Sequence, residues 1–109
     1  MRRGDVVTVA AGGGFGGKPR PGLVIQADQF SDTATVVLAL FTSELAETPL
    51  TRLRFDPSPE NGLKLPSELM ADIIISTRRD CVDKVIGRLS SDEMGRVDRA
   101  LLVFLGLAG

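Results

Sequence analysis

The 109-residue chain contains no histidine, no tryptophan and no tyrosine, and it has a single cysteine, Cys81. Without histidine, neither a Ser-His-Asp triad nor a histidine-ligated metal site can form. A lone cysteine excludes a disulfide within the chain and a zinc site built from several cysteines. We therefore predict a protein that works without a metal ion or any other cofactor.

The sequence also lacks an apolar run of the ~20 residues that a membrane-spanning helix requires, and it lacks the apolar segment of a signal peptide. Hydrophobic residues make up 43% and charged residues 25%, which is typical of a folded globular domain. Because 13 Lys and Arg face 14 Asp and Glu, bulk charge does not favour nonspecific binding of nucleic acid. We expect one cytoplasmic domain over residues 1–109 that has no membrane partner.

Short β-branched and apolar segments between turn residues predict a mainly β fold. The predicted strands are Val6–Ala10, Leu23–Ala27, Thr35–Phe41, Thr51–Phe55, Leu69–Ile75 and Val85–Leu89. The second and third are almost continuously apolar, which is typical of central strands that are buried on both faces. We expect Phe41 and Phe55 to lie in the core.

The C-terminal segment predicts a helix. Ser90 and Glu93 have the spacing of a capping box, and Gly106 is suited to the C-terminal end. An apolar stripe follows at helical spacing and is expected to pack on the sheet. Its residues are Met94, Val97, Leu101 and Phe104. The whole pattern predicts a small, mainly β barrel that is closed by one C-terminal helix.

A glycine-rich segment at residues 12–17 imitates two phosphate-binding motifs. The spacing of Gly12, Gly14 and Gly17 matches a dinucleotide-binding fingerprint, and Gly17 followed by Lys18 matches a P-loop. The dinucleotide motif requires a helix next, whereas the prolines that follow here lead into a predicted strand, and Pro19 stands where a P-loop has its magnesium-binding Ser or Thr. We interpret both matches as coincidences of glycine density.

Four polar residues stand out against the apolar strands. Arg20 lies between two prolines that restrict its backbone, and its planar guanidinium suits phosphate binding. Thr42 and Ser43 end the third strand with adjacent hydroxyls, a pattern that turn chemistry also explains. Asp72 interrupts the fifth strand, so it needs a partner or a place on the open face, and taken alone this position favours a structural role.

In these segments the chain resembles the MazF/PemK family of toxin endoribonucleases over almost its whole length. The matching segments are Gly4-Asp5-Val6-Val7, Arg20-Pro21-Gly22-Leu23-Val24-Ile25, Thr42-Ser43, Asn61-Gly62-Leu63-Lys64-Leu65-Pro66-Ser67, Asp72 and Lys84-Val85-Ile86-Gly87-Arg88-Leu89-Ser90. Each segment is weak alone, but together they occur in the family's order and spacing.

The resemblance implies a twisted SH3-like barrel of the MazF/CcdB type that forms a homodimer with a groove for single-stranded RNA. The implied activity is sequence-selective cleavage of mRNA, neutralised by an acidic cognate antitoxin. The family's active-site arginine and threonine fall on Arg20 and Thr42. Because the chain has neither Trp nor Tyr, base stacking would involve Phe15, Phe30 or arginine side chains. The residues assigned to RNA binding are Lys18, Ser43, Phe15, Asp72, Arg78 and Arg79.

The chemistry of the residues is compatible with this activity. The 2′-OH of RNA can act as the nucleophile and leave 2′,3′-cyclic phosphate and 5′-OH ends, so a protein nucleophile is unnecessary. Arg20 can stabilise charge at the phosphate, and Thr42 can donate a hydrogen bond to it. Two alternatives remain at this point: a noncatalytic toxin of the same fold that binds DNA gyrase, and an inactive module that only binds the antitoxin.

Overall fold

The computed structural model describes residues 1–10, 19–46 and 50–108. The strands are β1 (Asp5–Val9), β2 (Arg20–Val24), β3 (Thr35–Thr42), β4 (Arg52–Phe55), β5 (Ser67–Arg78) and β6 (Val82–Arg88). The helix α1 spans Ser91–Phe104, and short 3-10 turns lie at Asp28–Phe30 and Arg79–Cys81. Among the described residues, no helix has the length and apolar character that crossing a membrane requires.

The six strands form one antiparallel sheet in the order β4-β5-β3-β2-β1-β6. This confirms the predicted mainly β class with a C-terminal helix, and it confirms that β2 and β3 are central. Within the described residues, β4 and β6 form the two edges, so the sheet does not close into a complete barrel. β4 has only four residues and pairs along one side with β5.

Each face of the sheet carries its own apolar core. The larger core lies under α1 and includes Phe41, Phe55 and Val97, with the two phenyl rings edge to face and their centroids 6.2 Å apart. The smaller core lies on the opposite face and includes Val24 and Leu38. The prediction that β2 and β3 are buried on both faces is therefore confirmed, as is the core position of both phenylalanines.

The helix begins as its sequence predicts. The Ser90 hydroxyl accepts a hydrogen bond from the backbone of Glu93, whose carboxylate in turn accepts one from the backbone of Ser90. Gly106 follows the helix with a φ of 74°, a left-handed conformation that favours glycine. Val97 and Leu101 are buried, but the prediction that Phe104 packs on the sheet is wrong, since 46% of it is exposed.

The second strand begins and ends three residues earlier than predicted. Pro21 fits near the start of β2 because its position is paired with β1 alone, and pairing with β3 begins at the next residue. At the other end, the side chain of Gln26 accepts a hydrogen bond from the backbone of Val37 at 3.2 Å. The backbone N–H of Ile25 still donates to the Val37 carbonyl at 3.2 Å, but the Gln26 side chain takes the Val37 N–H, and β2 ends at Val24.

Two backbone segments pass each other with no room for a side chain between them. The segment around Asn61 packs against β6, and the buried Asn61 amide holds it through bonds to the backbone of Ser58, Leu63 and Asp56. A Cβ on Gly87 would lie 2.2 Å from the carbonyl carbon of Asn61. Glycine at this position is therefore required for the two segments to touch.

We expect Gly87→Ala to lower the free energy of unfolding by about 2 to 3 kcal/mol, because the clash is with backbone atoms that cannot rotate away. The matched control is Gly95→Ala in α1, where the added Cβ meets only a flexible arginine atom at 3.8 Å. That variant should be more stable than the parent by about 0.5 to 1 kcal/mol. Urea denaturation measures both, and equal stabilities would contradict the packing argument.

Candidate functional site

A cavity of ≈ 520 Å³ opens where β2 and β3 end their pairing. Arg20 and Thr42 each stand four residues from a member of the smaller core, Val24 and Leu38, on their own strands. Since side chains alternate along a strand, both lie on the sheet face opposite α1. The described residues that line the cavity are Arg20, Leu40, Thr42, Glu44, Leu45, Ala46, Arg52, Met70 and Ile73.

The pairing of β2 with β3 brings the two predicted catalytic residues together. The last paired residues at this end are Gly22 and Leu40, and the next residues on the same face are Arg20 and Thr42. Gly22 lies beside them and adds no side chain to the surface; a Cβ at this position would contact the side chains of Leu38 and Leu40 at 3.4 Å. Arg20 is exposed and Thr42 is half-buried, so both can be reached from solvent.

The Thr42 hydroxyl is held by the turn that follows β3. Its Oγ1 accepts a hydrogen bond from the backbone N–H of Glu44 at 3.1 Å. A hydroxyl group has one donor in addition to its acceptor lone pairs. Because the acceptor side is engaged with the turn, the O–H remains available to donate to a phosphate oxygen in the cavity.

A buried carboxylate on the neighbouring strand β5 holds the same turn. Glu68 on β5 pairs directly with Thr42 and is only 4% exposed. Its Oε1 accepts a hydrogen bond from the backbone N–H of Ala46 at 2.9 Å. This contact holds the wall of the cavity that Glu44 to Ala46 form, which the sequence did not indicate.

Sequence reasoning missed a second arginine in the cavity. Arg52 on β4 pairs with Met70 on β5, and its Nε lies 3.2 Å from Oδ1 of Asp72. The side chains of Arg52 and Asp72 are 19% and 28% exposed, respectively. Asp72 thus has the partner that its place in an apolar strand demands. In the sequence, polar and apolar residues alternate from Thr51 to Phe55, which is typical of a strand with one solvent-facing side, but this pattern does not tell which strand Arg52 meets.

The other residues assigned to RNA binding are not all brought to this cavity. Ser43 is exposed after β3 and is not among the described lining residues, and Lys18 and Phe15 lie outside the described residues. Arg78 pairs with Thr35 at the opposite end of β3 from Thr42, roughly 24 Å along the strand.

The two arginines at the β5–β6 turn instead make local contacts. Arg78 forms an ion pair with Asp80 at 2.5 Å. Arg79 donates to the backbone oxygens of Thr33 and Phe30, and so it ties the turn to the segment before β3. The structure therefore separates Arg78 and Arg79 from Arg20 and Thr42, and their RNA-binding role stays a prediction.

No group of three or more Cys, Asp or Glu side chains that could hold a metal ion occurs in residues 1–10, 19–46 and 50–108. The polar chemistry of the cavity instead comes from two guanidinium groups, one hydroxyl and the carboxylate of Glu44. Guanidinium and hydroxyl groups both donate hydrogen bonds, a combination that suits a phosphate oxygen.

Comparison with known proteins supports the resemblance seen in the sequence motifs. Residues 2–105 match the family described as PemK-like, MazF-like toxin of type II toxin-antitoxin system. The chain is 49% identical, over the full length of both proteins, to a protein of Mycolicibacterium smegmatis named probable endoribonuclease MazF.

Solved structures show the same fold at lower identity. A mycobacterial endoribonuclease in complex with its cognate antitoxin has a TM-score of 0.82 at 24% identity, with 100% of this chain and 98% of that one covered. MazF from Deinococcus radiodurans has a TM-score of 0.76 at 21% identity, with 97% and 96% covered. The predicted family and its fold are thus confirmed: the chain belongs to the PemK-like, MazF-like toxins of type II toxin–antitoxin systems.

Proposed function

We propose that this protein is the endoribonuclease toxin of a toxin–antitoxin pair and that it cleaves single-stranded mRNA sequence-selectively without a metal ion. The observation that carries the proposal is the meeting of Arg20 and Thr42 at one cavity, beyond the last paired residues of β2 and β3. The 49% identical relative, a probable endoribonuclease, supports the same activity.

The proposed reaction uses the 2′-OH of the RNA as its nucleophile. Attack on the adjacent phosphorus forms the new P–O2′ bond and breaks the P–O5′ bond; O2′ loses its proton and the departing O5′ gains one, which leaves a 2′,3′-cyclic phosphate and a 5′-OH. Negative charge builds on the phosphate oxygens as the pentacoordinate state forms. Arg20 stabilises this charge with its planar donor fork, and the Thr42 O–H donates to one of the same oxygens.

A cognate antitoxin with an acidic segment fits the same cavity. Arg20 and Arg52 line it together with a single carboxylate, Glu44, among the described residues, so a negatively charged peptide would meet the groups that bind RNA. The segment would fold as it covers the cavity and would inhibit by direct competition. The solved mycobacterial endoribonuclease was captured with its own antitoxin, in agreement with such a partner.

A homodimer is the second assembly that we propose. Several large apolar side chains at the end of α1 and just beyond it are exposed, and a symmetric interface would bury surface of this kind. These residues are Leu102, Val103, Phe104, Leu105 and Leu107.

The activity is tested by incubating the purified protein with mixed cellular RNA in excess EDTA and mapping the new ends. We expect cleavage at one short sequence, with 5′-OH ends and 2′,3′-cyclic phosphates, at the rate seen without EDTA. Arg20→Ala protein purified in the same way is the control for contaminating nuclease. Cleavage that depends on added Mg²⁺, or intact RNA together with inhibition of gyrase, would contradict the proposal.

A further inference from the structure

We propose that Arg52 binds a second backbone phosphate of the RNA, next to the scissile one, and that Asp72 is the positioning residue that orients Arg52. This inference rests on the proposed endoribonuclease function and extends the same site. It follows from the position of Arg52 in the cavity, its ion pair and its partial burial.

The two arginines approach the cavity from different strands. In the sheet order, β5 and β3 lie between the strand of Arg52 and the strand of Arg20. At ~4.8 Å per strand spacing, the two backbones are roughly 14 Å apart. The two arginines therefore reach the cavity from backbones on opposite sides of it, a spacing that allows each to bind a different phosphate of one chain.

The ion pair with Asp72 leaves the guanidinium able to bind a ligand. The contact joins Nε of Arg52 to Oδ1 of Asp72 at 3.2 Å. Nε carries only one of the five N–H donors of a guanidinium group, so donors remain for a second anion. Only 19% of the Arg52 side chain is exposed, so its position is more restricted than that of a surface arginine. The contact with the Asp72 carboxylate restricts its orientation further.

The lining residues around Arg52 favour a phosphate as its ligand. Met70 and Ile73 border the cavity beside Arg52 and offer no polar groups that could read a base edge. A charge-assisted bond to a phosphate needs only the planar fork, and every nucleotide supplies a phosphate. Arg52 should therefore strengthen binding of any sequence, whereas selection of the cleaved sequence belongs to other residues.

Removal of Asp72 separates positioning from simple charge. Asp72→Ala deletes a negative charge beside a site for a polyanion, so electrostatics alone predict tighter RNA binding. If Asp72 instead orients Arg52, the same substitution weakens binding, and Asp72→Asn restores much of it because an amide oxygen can still accept from Nε. The two interpretations thus predict opposite signs.

The experiment measures binding to an RNA oligonucleotide that carries the mapped cleavage sequence with a 2′-deoxy nucleotide at the scissile position. We expect Arg52→Ala to weaken binding about 10-fold and to reduce the salt dependence by one phosphate contact, a slope change of about 1. Single-turnover cleavage of subsaturating all-RNA substrate should fall by about the same factor as the affinity, because Arg52 acts through binding of the RNA. Arg52→Lys keeps the positive charge, so its affinity for the oligonucleotide should lie between those of the parent and Arg52→Ala.

Arg54→Ala is the matched control on the same strand. Arg54 is 51% exposed, forms an ion pair with Asp56 at 3.3 Å and is not among the residues that line the cavity. We expect it to weaken binding less than threefold. Three results would each overturn the inference but leave the proposed function intact, provided that the parent protein cleaves RNA. They are equal losses of affinity in Arg52→Ala and Arg54→Ala, tighter RNA binding by Asp72→Ala, and parental affinity of Arg52→Ala. A parent protein that neither binds nor cleaves RNA would overturn the inference and the proposed function together.

Discussion

Arg20→Ala is expected to reduce RNA cleavage about 100-fold or more, while the protein remains folded. The proposed reaction builds negative charge on the phosphate oxygens, and removal of one oriented donor to such charge costs about that factor in other enzymes. Arg20 is exposed at the first residue of β2, so its loss should change the free energy of unfolding by about 1 kcal/mol or less. Single-turnover cleavage and urea denaturation measure the two effects separately.

Conservative variants distinguish charge from geometry at this site. Arg20→Lys keeps the positive charge but loses the planar fork, so we expect little recovery of the rate. Thr42→Ala should have a smaller effect than Arg20→Ala, because it removes one neutral hydrogen bond, and Thr42→Ser should retain most activity. Ser43→Ala is the matched control, since Ser43 adjoins Thr42 but is not among the described lining residues.

The double variant tests whether both residues act on one phosphate. If they do, the combined loss in Arg20→Ala with Thr42→Ala should be smaller than the product of the single losses. A folded Arg20→Ala protein that cleaves RNA at the parental rate would refute the site assignment. Activity of Arg20→Lys equal to the parent would leave the site in place but refute the role of the guanidinium geometry.

Much of the fold could be predicted because local patterns and the final packing agree. The apolar runs of the second and third strands are central in the sheet, and the capping box of Ser90 and Glu93 starts the helix. Predictions failed where a distant contact decides the structure. β2 ends at Val24 because the Gln26 side chain bonds to Val37, and β5 extends to Arg78 although its last residues are polar.

The candidate site shows the same division. Arg20 could be singled out because two prolines flank it, whereas the role of Thr42 followed only from the family resemblance, and the pairing of β2 with β3 brings the two together. Arg52 could not be named, because its place in the cavity depends on which strand β4 joins. In the order β4-β5-β3, β4 lies beside β5, so Arg52 pairs with Met70 and its side chain contacts Asp72, which is 20 positions away in the chain.

A single 2′-deoxy nucleotide on the 5′ side of the scissile phosphate is expected to abolish cleavage without weakening binding. The proposed nucleophile is the 2′-OH itself, and the chain offers no histidine to activate water in its place. The phosphates remain, so the groups that we propose Arg20 and Arg52 to contact are unchanged. The modified oligonucleotide should therefore act as a competitive inhibitor of all-RNA cleavage, with an inhibition constant equal to its dissociation constant.

The control oligonucleotide carries its 2′-deoxy nucleotide one position further in the 3′ direction. It also lacks one 2′-OH, but the nucleophile next to the scissile phosphate is intact. We expect it to be cleaved within about threefold of the all-RNA rate, because the lost hydroxyl makes at most one weak hydrogen bond. Comparison of the two oligonucleotides separates the loss of the nucleophile from the loss of a ribose 2′-OH that only binds the protein. Cleavage of the first oligonucleotide at the parental rate would mean that water or a protein group attacks the phosphorus. Arg20 and Thr42 would then still stabilise the phosphate charge, but the product would end in a 3′- or 5′-phosphate rather than a 2′,3′-cyclic phosphate.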